Sequence, residues 1–214
     1  MVFLTGEKSV RVLERHPLEP FLPNHAKMLM LGSFPPPRER WTMNFYYPNF
    51  QNDLWRIMGI VFFADKDYFV SDNRKSFNEA AIRQFLIEQG IALYDTAEEV
   101  IRQKGNASDQ FLEIVKPVNI RAILTQIPQC ETIVTTGQKA TETLMGLINA
   151  EQFPPVCGYV DVCFMNRTLR CYRMPSSSRA YPKSLADKSA DYSRMFTEIH
   201  LLHHAKISLG GASV

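Results

Sequence analysis

KMLMLG, Lys27 to Gly32, is apolar after its lysine and runs straight into SFPPP, Ser33 to Pro37. A strand with one solvated face alternates apolar and polar residues. A run without alternation suits a strand buried on both faces of a parallel sheet. Prolines at 35 to 37 and at 48 block helix and ladder alike, so SFPPPRERWTMNFYYPNFQ reads as a long aromatic-rich loop.

Beyond that loop, Asn52 stands as an N-cap before DLWRIMGIVF, where Leu54, Ile57, Met58 and Val61 recur at helical spacing. The spacing also predicts a helix over 76–89, with Ser76 and Glu79 as a capping box and Gly90 as its stop. IALYDTA reads as a strand running into Asp95, and EEVIRQ as a helix that Asp95 caps. Residues 108–116 and the stretch ending at Ile127 read as helical, divided at Pro117. ETIVTTG (131–137) then repeats the strand ending in a turn, and QKATETLMGLINA the helix after it. Residues 159–165 and 168–174 flank Asn166-Arg167 as a hairpin. A last helix from Leu185 to His204 presents Tyr192, Met195, Phe196, Ile199 and Leu202 on one face, and the tail ISLGGASV frays.

Alternating strands and helices predict an α/β protein: a three-layer α/β/α sandwich with a central, mainly parallel, four-stranded sheet. At 214 residues, 45% apolar and 21% charged, the chain fits one domain over 1–214, with roughly 16 N-terminal and 10 C-terminal residues peripheral. No run approaches the roughly 18 apolar residues of a membrane span, and the N-terminus turns charged too early for a secretory signal. A cytoplasmic location is the default expectation. Cys130, Cys157, Cys163 and Cys171 form no CxxC pair, so they read as reduced thiols, with no metal site expected. A net charge of +2 leaves any nucleic-acid partner to local patches.

Open parallel sheets bind ligands outside the carboxyl ends of their strands. That rule selects the loop after Gly32, Asp95, the turn at Gly137, and the loop after Met174. The first offers six aromatic residues among Asn44, Asn49 and Asn52; they either glue the loop down or form a stacking pocket for a flat base. Asp95 is either a cap or a carboxylate that accepts from a base N–H. Gly137 and Lys139 open a helix as a weak anion site. RCYRMPSSSRAYP, 170–182, is either a solvated turn or a set of hydroxyl and N–H donors for a phosphodiester backbone. No GxSxG elbow supports a serine hydrolase, and His200, His203 and His204 read as surface residues of the final helix. GxxxxGK[ST] and GxGxxG are absent as well, which removes the support for triphosphate or dinucleotide binding.

The motifs GSFPP (32–36), YYPNFQNDLW (46–55), GIALYD (90–95), TTGQKA (135–140) and MPSSS (174–178) occur in an order and spacing that resemble the uracil-DNA glycosylase superfamily. The similarity is to the branch holding the mismatch-specific thymine/uracil and the hypoxanthine-DNA glycosylases, and it runs from about Pro17 to His200. It implies a uracil-DNA-glycosylase-like fold and a monofunctional DNA glycosylase without metal or cofactor, acting as a monomer on DNA. By the same resemblance Asn52 aims the water, and Ser33, Phe34, Tyr47 and Asp95 surround the base. Gly137, Lys139 and Ser176 to Ser178 hold DNA, and Arg179 or Tyr181 fills the gap left by the flipped base.

Two positions depart from the pattern. Phe34 stands where mismatch-specific enzymes carry the water-orienting asparagine, as it does in the hypoxanthine branch. Asp95 stands where uracil readers have asparagine, and a carboxylate suits the N1–H of hypoxanthine, so hypoxanthine comes first and uracil next. The rival is a non-catalytic DNA-binding relative that keeps only the phosphate grip.

Overall fold

The computed structural model describes residues 11–103 and 111–202. Along the chain run β1 (Leu13–Arg15), β2 (Met28–Gly32), α1 (Leu54–Phe63), α2 (Glu79–Gln89), β3 (Ile91–Asp95), β4 (Ala97–Arg102), β5 (Leu112–Pro117), α3 (Ile120–Gln126), β6 (Thr132–Thr136), α4 (Gln138–Leu147), β7 (Gly158–Phe164), β8 (Arg167–Met174) and α5 (Leu185–Glu198). Every residue of β2, β3 and β6 is buried; the unalternating apolar runs of β2 and β3 require it, whereas β6, TIVTT, buries three threonines as well.

β2 sits between two parallel partners, pairing Gly32 with Asp95 on one side and Leu31 with Thr135 on the other. β8 continues the sheet in parallel, pairing Thr136 with Met174. The carboxyl ends of four strands therefore form one row. The sheet has five strands rather than four, in the order β3-β2-β6-β8-β7. The fifth is the antiparallel edge strand β7, which the hairpin brings in; Met165 and Asn166, both with positive φ, make its turn one residue before the expected pair.

Phe62 touches both Phe85 and Phe196 edge-on at 4.9 Å, joining α1, α2 and α5. Gly90 ends α2 in the left-handed conformation as expected, φ 66. Its cap is Asn78, accepting from the Ala81 N–H at 3.1 Å, instead of Ser76. α5 stops at Glu198, short of His204; His203, His204 and the tail lie outside the described residues, as do residues 1–10.

Two expected helices are strands. EEVIRQ lies mostly in β4 and 112–116 in β5, with residues 108–110 outside the described residues. Together with β1 they build a second, antiparallel sheet, β1-β4-β5. β-branched Val100, Ile101, Ile114 and Val115 suit a pleated surface better than a helix. Ala97, Val100 and Leu112 form its small core, onto which Phe34 and Ile114 pack. Asp95 consequently caps no helix. Residues 13–16, counted above as peripheral, contribute a strand of this sheet and a side chain that reaches the main one. Among the described residues no helix is long and apolar enough to cross a membrane.

Candidate active site

A cleft of about 570 Å³ opens over the row of strand ends. Gly32, Ser33 and Phe34 line it after β2, Asp95 after β3, Thr136 after β6 and Ser176 to Ser178 after β8. Tyr46, Tyr47, Asn49 and Asn52 enter from the aromatic loop, and Ala180 to Pro182 close the far lip. Three of the four loops selected from sequence thus meet directly. At the fourth, Gly137 and Lys139 fall outside the lining; Gly137, φ 101, backs the Ser loop, where a Cβ would lie 3.4 Å from the Cβ of Ser176.

The aromatic loop is held tightly. Tyr46 is buried, donates its hydroxyl to the Glu19 carbonyl at 2.8 Å, and receives the Trp55 Nε1–H on its own carbonyl at 3.1 Å. Burial, reinforced by the Asp95 charge, pushes its phenol far above the ordinary range, so it stays neutral. Tyr47 occupies the left-handed region, φ 51, and shares a 2.9 Å hydrogen bond with Thr136 Oγ1. A non-glycine residue in that conformation costs about 1–3 kcal/mol and persists where the surroundings fix it. Phe34 serves two surfaces: it lines the cleft, and it packs edge-on to His16 at 5.3 Å with Arg102 over its ring at 5.5 Å.

Asp95 is buried, and its Oδ1 lies over Gly32: a Cβ on Gly32 would collide with it and come within 3.3 Å of Tyr47 Oη. Glycine is what lets a carboxylate and a phenol approach the same backbone. The other oxygen, Oδ2, lies 2.9 Å from His16 Nε2. Burial, with Glu98 and then Asp95 nearby, also pushes the neighbouring Tyr94 phenol up to about 12.

Asn52 accepts the Leu54 N–H on Oδ1 at 2.9 Å while lining the cleft, but the N-cap of α1 is Asp53, one residue later than expected, so Asn52 braces the first turn from just outside it. Asp53, the residue next to it, donates its own N–H to the Ser177 carbonyl at 2.9 Å. Its carboxylate takes Lys188 at 3.0 Å and Arg179 at 3.4 Å. In the Ser loop, Ser176 Oγ accepts from the Ser178 N–H and Ser178 Oγ from the Ala180 N–H, each at 3.2 Å. A hydroxyl that accepts in this way still has a hydrogen it can donate. Ser177 is the more deeply buried of the three. Tyr181 lines the cleft, while Arg179 lies outside the lining, on Asp53.

Sequence reasoning missed four residues here: His16, Arg40, Thr136 and Lys188. Arg40 and Thr136 line the cleft. Lys188 carried a usable signal, because it precedes Tyr192 by four positions and Met195 by seven and so falls on the apolar face of α5. His16 carried none. Among the described residues no three His, Cys, Asp or Glu side chains converge to hold a metal ion.

Sheet and cleft together define an α/β/α sandwich that gathers its polar groups at the carboxyl ends of parallel strands. No family model and no curated protein matches the chain. Among solved structures, the solution NMR structure of a candidate uracil DNA glycosylase from Methanosarcina acetivorans is similar at 20% identity and a TM-score of 0.59, covering 90% of this chain and 100% of that one. The two share a fold.

Proposed function

We propose that the cleft receives a single base flipped out of DNA and that the protein is a monofunctional DNA glycosylase, with hypoxanthine its first substrate and uracil the next. The observation that carries this reading is the convergence of Asp95, Tyr47, Phe34, Asn52 and Ser176 to Ser178 on one cleft. Fold likeness to a candidate uracil DNA glycosylase supports it.

Flipping costs a few kcal/mol, less for a mispaired base. Tyr47 and Phe34 pack against the extruded ring, and Ser33 lies along its edge. The carboxylate of Asp95 accepts the N1–H of hypoxanthine or the N3–H of uracil. As the N-glycosidic bond breaks, its electron pair leaves with the base and positive charge develops on the sugar. Asn52 aims a water whose oxygen bonds the anomeric carbon; one proton of that water ends on the departing base. Abasic deoxyribose and free base result, with the strand intact. Ser176 to Ser178 grip the flanking phosphates, Gly137 and Lys139 add a helix N-terminus and a charge for the DNA, and Arg179 or Tyr181 occupies the vacated place in the stack.

One observation favours a second reading, a non-catalytic DNA-binding relative: Asn52 already spends Oδ1 on the Leu54 N–H. Duplexes carrying one hypoxanthine, uracil, xanthine or thymine mismatch, incubated with protein and then alkali, separate the two. Strand scission at the modified base supports the enzyme; retained duplex binding without scission at any base supports the rival.

A further inference from the structure

His16 follows β1 in a proline-bounded segment and matches no motif, yet its side chain is 2% exposed. Its backbone N–H donates to the Glu98 carbonyl at 2.8 Å, and its ring is enclosed by Phe34 at 5.3 Å, Tyr94 at 4.7 Å and Tyr46 at 6.2 Å. Nδ1 lies 2.8 Å from the Leu18 carbonyl and 3.2 Å from the Leu18 N–H. Nε2 lies 2.9 Å from Asp95 Oδ2.

We infer that His16 is a positioning residue for Asp95: its Nε2–H holds Oδ2 and keeps the carboxyl an ionised acceptor, leaving Oδ1 to receive the N–H of a flipped base. The consequence for substrate choice rests on the base-binding reading of the cleft; the hydrogen bond itself does not.

A carboxylate so thoroughly buried, deprived of its partner, takes up a proton rather than remain charged. A protonated Asp95 both donates and accepts, so it no longer separates a ring N–H from a ring nitrogen lone pair. Ionised, it accepts from hypoxanthine or uracil and repels the lone pair that adenine or cytosine presents at the same place. His16 would thus set the discrimination between deaminated bases and their parents. The other titratable and charged groups around the ring are otherwise engaged or neutral. Arg15 pairs with Glu99, and Lys116 with Glu98. Tyr46 and Tyr94 keep their protons, while Glu19, in the segment after His16, acts on those two phenols. Asp95 alone among them bonds the imidazole directly.

The first test needs neither substrate nor variant. A proton–nitrogen spectrum of the labelled imidazoles, with His16 assigned through its contacts to Phe34 and Tyr94, should show Nε2 protonated; an unprotonated Nε2 overturns the inference. The second compares the preference for releasing hypoxanthine over adenine at about pH 6 and about pH 8. His16→Phe should lose about tenfold or more of that preference at the lower pH relative to its own higher-pH value. The wild type and His16→Gln, which keeps a donor, should change by less than about threefold over that interval. In His16→Phe/Asp95→Asn the pH dependence should vanish, because an amide needs no charge partner. A His16→Phe profile superimposable on the wild type overturns the inference. A wild type that releases no base overturns the glycosylase reading instead, and the spectrum still decides the role of His16.

Discussion

Lys188 places Nζ 3.0 Å from Asp53 Oδ2 and 2.7 Å from the Ser178 carbonyl, with none of its side chain exposed. One cation therefore ties α5 to the residue that precedes α1 and to the Ser loop. Asp53 occupies the N-cap of α1 without making a side-chain cap bond, since its carboxylate is used here. Lys188→Met leaves that carboxylate with Arg179, whose side chain is half exposed. Breaking a buried pair from one side costs about 3–5 kcal/mol, and urea unfolding should report a loss of that order. Adding Asp53→Asn should recover part of it, because the stranded charge is gone. A loss below about 1 kcal/mol would place the pair among weak surface ion pairs.

Gly32→Ala tests the close approach of Asp95 to the end of β2. The new methyl meets Asp95 Oδ1 and Tyr47 Oη, so the carboxylate must move. Overpacking of this kind costs about 1–3 kcal/mol of stability. If Asp95 reads the base as proposed, its displacement by about 1 Å should lower base release about 100-fold, measured in single turnover at matched folded protein.

Cys130 and Cys171 are buried, and burial pushes both thiols from 9.0 up to about 12. Between those values the unfolded chain gives up the two protons while the folded protein keeps them. Fewer protons are bound in the unfolded state, so stability falls as pH rises from about 9 to about 12. Cys130→Ala/Cys171→Ala should show a shallower decline of Tm over that window. At mildly alkaline pH, thiol reagents should label exposed Cys163 first and spare these two.

Tyr181 and Arg179, the two residues proposed for the wedge, take different places despite their adjacency in sequence. Tyr181 faces the cleft, and Arg179 sits on Asp53 outside it. Tyr181→Ala should slow release from a paired duplex more than from a single strand, where no stack has to be filled. Arg179→Ala should act through charge, lowering duplex affinity and reducing the salt slope by about one.

Much of this was legible in the chain. Apolar runs without alternation define β2 and β3, and their stops put Gly32 and Asp95 at one sheet end, which the MPSSS loop reaches from the end of β8. β4 and β5 misled because local spacing cannot show that Val100 pairs with Glu14, far earlier in sequence, and with Ile114 across the hairpin. The pairing, and not the propensity of any one residue, fixes the strand. His16 reaches Asp95 across 79 positions, and a lone histidine between polar residues and prolines announces nothing of the kind. Lys188 was readable from helical spacing, although its partner Asp53, 135 positions away, was not.

The most direct measurement incubates the protein with a duplex holding one hypoxanthine in oxygen-18 water and analyses both products by mass spectrometry. Free hypoxanthine and an intact strand with one oxygen-18 on the abasic sugar are expected, with release falling about 100-fold or more in Asn52→Ala. Absence of free base, or release unchanged in Asn52→Ala, would contradict the proposed mechanism.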